Sequence, residues 1–290
     1  MASLDSDLDR PQEARLLITA IAQQLTEAEI ENPRRDANLI LQMAIGSDEP
    51  VLMHHEISLD HSAKQKLDDL IARRKQGCPI SRLRGSREFY SLDFALNEAT
   101  LDPRPDSEVL VDAAIHDCKD KPYHIADFGT GSGCLLLATL AHCPNATGIG
   151  LDISADAIAQ ARQNAKTHHL CDRSEFRVSD WDSALEDEAC FDMILSNPPY
   201  IPTGDAPHLA KEVRLYDPEQ ALFAGATGLV AYERLMAIFA KHLRKGGLCL
   251  VEIGKGQEEA VSQLGKRAGL TEIGTCKDLA GIIRVLKFQL

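Results

Sequence analysis

From Tyr123 onward, apolar runs alternate with amphipathic stretches, and this alternation limits the possible folds more than any other feature of the 290-residue chain. The runs HIADFG, ATGIGLDI, FRVSD, FDMILSN and GLCLVEIG read as strands, with a final pair near LTEIGTC and GIIRVLKF. Between them, residues 134–142, 154–168, 228–243 and 256–268 carry apolar side chains at helical spacing. Helices placed between near-continuous apolar strands supply the crossovers that parallel neighbours need. The pattern predicts an α/β fold whose parallel sheet is covered on both faces. The last two strands are joined by a short link, which predicts an antiparallel final hairpin.

Upstream, the pattern is helical from Pro11 to about Gly77. Pro11 suits a first helical turn, and Leu16, Leu17, Ala20, Ile21 and Leu25 follow at helical spacing. A second helix is expected from near Pro33, through Ala37, Leu39, Ile40, Leu41 and Ala44, to Gly46. A third covers residues 61–75, with Leu67, Leu70 and Ile71 on one face and Gly77 ending it. Residues 1–77 thus read as a small helical domain, either a structural cap or a substrate-docking module. The leading MASLDSDLDR is acidic and polar, and is expected to be a short disordered lead rather than a secretory signal.

Residues 78–104 read as a strand-rich linker. Glu88, Phe89 and Tyr90, then Leu92, Phe94 and Leu96, alternate as a β-hairpin turning across Ser91-Leu92-Asp93. Residues 105–290 form the remaining domain. Its first helix has Pro105 in the opening turn, with Asp106 and Glu108 at the positive end of the helix dipole.

Hydrophobic residues make up 44% and charged residues 26%, an ordinary globular composition. No apolar run approaches the roughly 18–20 residues of a membrane span, so no membrane partner is expected and the location is read as cytoplasmic. Eight cysteines (Cys78, Cys118, Cys134, Cys143, Cys171, Cys190, Cys249 and Cys276) are scattered without a CxxC pair, and are expected to be reduced thiols. His168, His169 and Cys171 lack a second ligand pair at usable spacing, so no metal site is expected. The formal net charge of −13 weighs against a nucleic acid substrate, because phosphate binding gains affinity from Lys and Arg. Basic residues occur only in short patches, at Arg34-Arg35, Arg73-Arg74-Lys75, and Arg82, Arg84 and Arg87. A monomer is the default expectation.

The first strand of the alternating region ends in Asp127-Phe128-Gly129-Thr130-Gly131-Ser132-Gly133, and a helix follows at once. Glycines at alternate positions let backbone pass close to a ligand and expose N–H groups at the helix start. The pattern is GxGxG, not the dinucleotide GxGxxG, and no P-loop Gly-Lys-Ser/Thr is present. Alone, this turn fits a structural turn, a dinucleotide site or a methyl-donor site. Asp152 ends the second strand roughly 20 residues on, where an acid binds the ribose hydroxyls of NAD or S-adenosylmethionine alike. Asp127 favours the methyl donor, which brings an ammonium and a sulfonium where a dinucleotide brings a pyrophosphate. Ser179-Asp180-Trp181 ends the third strand. Asp180 could accept from an exocyclic amine, and Trp181, the only tryptophan, could stack on adenine or simply fill the core.

The fourth strand ends in Ser196-Asn197-Pro198-Pro199-Tyr200-Ile201-Pro202, the most specific signal in the chain. Consecutive prolines remove two N–H donors and hold an extended path, leaving carbonyls free beside the Asn197 amide. A planar nitrogen is a poor nucleophile because its lone pair is delocalised. Acceptors at the Asn197 side chain and the Pro198 carbonyl would bind both N–H groups of such an acceptor and aim the nitrogen at a methyl group. That is positioning and electrostatics, with no covalent intermediate. Tyr200 is expected to stack over the planar group. The same motif serves amino methylation of adenine or cytosine in DNA, of guanine in RNA, and of glutamine in proteins.

With these residues, the chain resembles the bacterial release-factor glutamine methyltransferases (the HemK or PrmC type). The likeness runs through REFYSLDF, LDPRPDSE, DFGTGSG, LDIS, SDW, SNPPYIP, EVRLYDPEQALFAGATGL, VEIGKGQ and DLAGIIRVL. The resemblance implies a class I, Rossmann-like seven-stranded methyltransferase sheet behind a small all-α substrate-docking domain. It implies S-adenosylmethionine held by Gly129–Gly133, Asp152 and Trp181, with Asn197 touching both donor and acceptor and Asn197–Tyr200 gripping a glutamine. The implied partner is a class I peptide chain release factor, modified on the glutamine of its Gly-Gly-Gln loop. A sister family modifies a ribosomal protein, and the segment Pro103–Glu108 looks like the release-factor branch. The chain departs from the family pattern at Asp102, where an apolar residue is usual, and at Arg82, where an aromatic is common. Both departures bear on docking and not on reaction type.

Overall fold

A computed structural model describes residues 12–47 and 49–290; the expectations about Pro11 and the acidic lead fall outside the described residues. The chain divides into two compact units, residues up to Gly85 with Lys211–Tyr216, and Ser86–Ala210 with Asp217–Leu290.

The first unit contains β1 (Gln12–Glu13), α1 (Ala14–Glu27), α2 (Pro33–Ile45), β2 (Glu56–Ile57), α3 (His61–Lys75) and α4 (Ile80–Arg84). β1 and β2 pair as a minimal antiparallel ribbon. Pro33 opens α2, and Gly46 closes it in the left-handed region at φ 65°. Asp60 caps α3 by accepting from the Ala63 N–H at 2.8 Å. The apolar stripes of the three longer helices meet in a core that includes Ile18, Leu25, Ile40, Leu41 and Leu70.

Near the end of α3, the buried Arg74 guanidinium donates to Asp36 at 2.8 Å and to the Cys78 carbonyl at 3.1 Å. It also pairs with Glu212 at 2.6 Å, which ties the distant segment Lys211–Tyr216 into this unit. Nothing in local periodicity signals that tie. It depends on charges far apart in the chain.

In the second unit, β3 (Ser86–Phe89) and β4 (Leu92–Ala95) form a hairpin. The turn is at Tyr90 and Ser91, not across residues 91–93 as the alternation suggested. Both residues take positive φ, 51° and 60°, the two-residue turn whose twist matches paired strands. A 3-10 turn at Pro105–Ser107 leads into α5 (Glu108–Cys118). There follow β5 (His124–Phe128), α6 (Cys134–His142), β6 (Thr147–Asp152), α7 (Ala155–Thr167), β7 (Ser174–Val178) and β8 (Phe191–Ser196). After a 3-10 segment at Thr203–His208 the chain runs through α8 (Lys211–Tyr216), which belongs to the first unit, and re-enters the second with α9 (Glu219–Leu222); the sequence pattern did not announce these short helices. The unit ends with α10 (Val230–His242), β9 (Leu243–Glu252), α11 (Glu258–Arg267), β10 (Thr271–Lys277) and β11 (Ile283–Gln289).

These strands build a seven-stranded sheet in the order β10-β11-β9-β8-β5-β6-β7. The β7 to β9 run is parallel, and β11 pairs antiparallel with both β9 and β10, as the short final link predicted. One face is covered by α5, α6, α7 and the hairpin, through residues such as Phe94, Leu110, Leu136 and Ile158. The other face is covered by α10 and α11, through Tyr232, Phe239 and Val261.

The cysteine expectation needs one correction. Cys118, the last residue of α5, and Cys143, just past α6, form a disulfide with Cα atoms 6.5 Å apart. Helices packed side by side on one sheet face bring together cysteines whose spacing in the chain carries no signal. The other six cysteines are free thiols. Among the described residues, no group of side chains that could hold a metal ion includes His168. It lies 3.0 Å from the Asp93 carbonyl and packs on Phe94.

Breaking a buried ion pair by removing one partner leaves the other charge uncompensated. Asp36→Ala is therefore expected to destabilise the protein by about 3 kcal/mol, measured by urea unfolding. A loss under about 1 kcal/mol would mean that the pair behaves as a surface salt bridge.

Candidate active site

In the central sheet the chain steps outward from β5 to β6 and β7, then returns to β8 on the other side of β5. Such a reversal opens a crevice at the carboxyl ends of the strands, the usual ligand position in open α/β sheets. Register sets what meets there. Phe128 pairs with Ser196 on one side and Leu151 on the other, so the glycine turn, Asn197 and Asp152 leave neighbouring strands at one level. The Ser196 hydroxyl donates to the Phe128 carbonyl at 2.7 Å and ties the two exits together. A cavity of about 290 Å³ lies over these strand ends.

On one side of the cavity, the Gly129 and Thr130 N–H groups donate to the Leu151 carbonyl at 2.8 and 3.0 Å. Gly131 N–H donates to Asp152 Oδ2 at 2.9 Å, and Ser154 N–H to Oδ1 at 2.9 Å. Burial raises the Asp152 pKa, and these hydrogen bonds oppose the rise. The carboxylate is thereby held in one orientation, with lone pairs left over for hydroxyl donors. Gly131 has φ 55°, and a Cβ there would project into open space, so the backbone itself forms the cavity wall. The buried Asn164 amide braces the turn by donating to the Ser132 carbonyl at 2.9 Å and the Ala95 carbonyl at 3.1 Å.

Of the residues expected to hold the methyl donor, Gly129, Thr130, Gly131, Ser132 and Asp152 line this cavity, as do Asp180 and Trp181. Trp181 also packs on the core face of α10 and α11, so it serves cavity and core together. Asp180 is exposed at the rim and pairs with Arg234 at 3.2 Å. Gly133 and Asp127 do not line the cavity. Gly133 opens α6, and Asp127 is fully buried behind the turn, its Oδ2 accepting from the Thr130 hydroxyl at 2.7 Å.

Asp127 Oδ1 has no hydrogen-bond partner among the described residues. Burial lifts this carboxyl to about 7; the Asp152 charge adds to the rise and the Thr130 hydrogen bond opposes it. A cationic ligand close to this turn would restore the ionised form, whereas a pyrophosphate would not. An open glycine wall, an oriented acid on the second strand and an indole at the third fit S-adenosylmethionine.

On the other side, Asn197 and Pro199 line the cavity together with Ser107 and Arg104. The Asn197 amide donates through Nδ2 to Ser107 Oγ at 3.1 Å. Pro198 is buried, and no hydrogen bond among the described residues ends on its carbonyl. Past the prolines the chain is held firmly. Gln257 donates to the Tyr200 carbonyl at 2.9 Å, and Ile201 exchanges backbone bonds with Leu222 and Ala224. A Cβ at Gly228 would stand 2.3 Å from the Tyr200 carbonyl, so only glycine permits this approach. Tyr200 does not line the cavity. Its ring packs against the core, and burial lifts the phenol to about 12, so it is neutral. In place of the stacking expected of it, the Tyr200 ring sits on the core side of the loop, where Gln257, itself held by the Gly254 N–H, fixes the backbone that carries the ring.

Five contributors were not singled out from the sequence. Arg234 lies at the rim, and Arg104 is held by the buried Asp217. The Ser107 hydroxyl accepts from Asn197, Gln257 holds the Tyr200 carbonyl, and Glu252 is buried at the end of β9. The departure at Asp102 falls beside this wall, since its N–H donates to Asp217 Oδ1 at 3.3 Å. One signal was available in the sequence. Glu252 is a charged residue inside the otherwise apolar run GLCLVEIG.

Two family models match the chain. One is described as methyltransferase small domain and spans residues 100–235; the other is PrmC N-terminal domain and spans residues 17–85. The chain is 42% identical over 266 residues to the release factor glutamine methyltransferase of Rhodospirillum rubrum, covering 91% of this chain and 81% of that protein. It is 39% identical over 275 residues to the enzyme of the same name from Caulobacter vibrioides, covering 92% and 93%. A methyltransferase crystal structure from Pyrococcus furiosus superposes with a TM-score of 0.51 at 15% identity, over 69% of this chain and 90% of that one, a likeness of fold alone. The chain belongs to the release factor glutamine methyltransferase family.

Proposed function

We infer that this protein transfers a methyl group from S-adenosylmethionine to the side-chain amide nitrogen (N5) of the glutamine in the Gly-Gly-Gln motif of class I peptide chain release factors. S-adenosylhomocysteine is the second product. The observation that carries this reading is the Asn197 amide in a cavity with an open glycine wall, in a chain of this family, next to a Pro198 carbonyl that accepts no hydrogen bond among the described residues. The net charge of −13 supports a protein acceptor over a nucleic acid. The helical first unit, matched by the PrmC N-terminal domain, is the natural docking module for that protein. Release factors act in translation, which makes the cytoplasm the working compartment.

When bound, S-adenosylmethionine supplies an electrophilic methyl group on a sulfonium. The protein's task is to present a weak nucleophile correctly. The Asn197 Oδ1 and Pro198 carbonyl accept the two N–H bonds of the glutamine amide, selecting NH2 over an oxygen or a methylene. Held in this way, the nitrogen faces the methyl group as it loses planarity. The neutral Tyr200 and its anchors keep the two acceptors from drifting. No strong base is required, because the nitrogen becomes acidic once methylated.

Incubation with labelled S-adenosylmethionine and a class I release factor, followed by peptide mapping, is expected to place the label on the Gly-Gly-Gln glutamine. Label on another residue, on a ribosomal protein or on nucleic acid would reject the assignment. Asn197→Ala is expected to lower kcat by roughly 10²–10³, as loss of one preorganised transition-state contact does, with cofactor affinity largely retained. Asp152→Ala is expected to weaken S-adenosylmethionine binding about 10- to 100-fold in calorimetric titration, the effect of losing charge-assisted hydrogen bonds. Native affinity in that variant would remove Asp152 from the ribose site.

A further inference from the structure

Arg104 stands between two prolines, Pro103 and Pro105, just ahead of α5. A residue that precedes proline is confined to extended backbone, and Arg104 holds φ −93° and ψ 138°. The direction in which its side chain leaves the chain is therefore set before any tertiary contact forms. The guanidinium then pairs through Nη2 with Oδ2 of Asp217, a buried carboxyl that also accepts from the Asp102 N–H at 3.3 Å. The neighbouring acids are engaged elsewhere, Asp106 with Arg284 at 2.7 Å and Asp102 at 3.8 Å from the Arg87 guanidinium. Nε and Nη1 of Arg104 carry no hydrogen bond among the described residues, and Arg104 lines the cavity. A guanidinium has five N–H donors in a planar fork, so one held by a buried acid keeps the rest for an anion.

Among the described residues, Arg104 and Arg234 are the two cations that line the cavity. Arg234 stands at the exposed rim, paired with Asp180 at 3.2 Å. Arg104 shares its wall with Ser107, Asn197 and Pro199. Asp152 and Trp181, read as the ribose and base contacts, put the adenosyl end of the methyl donor over β6 and β7. Its amino acid end then lies toward Arg104. That end carries a carboxylate, which the acids Asp152 and Asp180 repel and a guanidinium binds through two parallel N–H donors. We propose that Arg104 binds the methionyl carboxylate of S-adenosylmethionine, and that Asp217 is a positioning residue that holds the guanidinium for it. The inference rests on the reading of this cavity as the methyl-donor site.

The test is calorimetric titration with two ligands, S-adenosylhomocysteine and its decarboxylated analogue, which keeps the adenosine, the sulfur and the amine. The proteins are wild type, Arg104→Gln, Arg104→Lys, Asp217→Ala, Asp217→Asn and Asp152→Ala, with thermal midpoints measured alongside. Wild type is expected to bind S-adenosylhomocysteine about 10- to 100-fold more tightly than the analogue, the range of a charge-assisted contact. Arg104→Gln should bring that preference to about threefold or less by weakening the carboxylated ligand alone. Arg104→Lys should recover only part of it, since an ammonium lacks the planar fork. Asp217→Ala should cut the preference about 3- to 10-fold, and Asp217→Asn, which still offers an oxygen to the guanidinium, should restore most of it. A merely structural role would weaken both ligands equally. Should Asp217→Ala fold poorly, the two Arg104 variants decide by themselves.

Three outcomes overturn the proposal: no preference in wild type, equal weakening of both ligands by Arg104→Gln, or a raised KM for the release factor in that variant with the preference intact. An unchanged preference in Asp217→Ala overturns its positioning role. If wild type binds neither ligand, or Asp152→Ala binds both with native affinity, the reading of the cavity itself falls.

Discussion

The parallel pairing of β5 with β8 in the register Phe128 to Ser196 is the constraint on which the rest of the site depends. Two strands that end at one level deliver a glycine turn and an Asn-Pro-Pro-Tyr turn side by side, and the Ser196 hydroxyl bonded to the Phe128 carbonyl holds that level. A slip of one residue would turn every strand side chain to the other face. The apolar residues of β5 and β8, buried on both faces, forbid it. The chemistry is therefore positioned by burial of hydrocarbon several residues away.

Against that apolar sheet the protein sets three carboxylates at strand ends. Asp127 is the last residue but one of β5, ahead of its glycine turn, Asp152 ends β6 and Glu252 ends β9. Burial raises the pKa of each, with Asp127 and Glu252 brought to about 7. Isolated buried charges are costly, so such groups persist where they do work or are compensated by a ligand. Their division of labour follows from their partners. Asp152 is oriented by backbone N–H groups, Asp127 shapes the turn through Thr130, and the Glu252 backbone carbonyl anchors the Tyr232 hydroxyl.

The first unit is organised differently. Its core is plain helical packing, but Arg74 gathers Asp36, Glu212 and the Cys78 carbonyl around one guanidinium. A planar, permanently charged fork suits such a junction, because it can serve several acceptors at once. It recruits Lys211–Tyr216, a segment that begins soon after the Asn-Pro-Pro-Tyr turn, into the helical unit.

Local pattern alone determined a good deal. Strand–helix alternation specified the α/β class, and residues 61–75 and 134–142 were readable to the residue because capping and helical periodicity are local effects. The glycine turn and the proline turn were readable because glycine frees and proline fixes the backbone wherever they occur. Tertiary structure alone decided the remainder. The disulfide between Cys118 and Cys143, the turn of Tyr200 toward the core, the tie of Arg74 to Glu212 and the bond of Asn197 to Ser107 all join residues far apart in sequence. Their geometry follows from sheet order and side-chain packing, which no window along the chain contains.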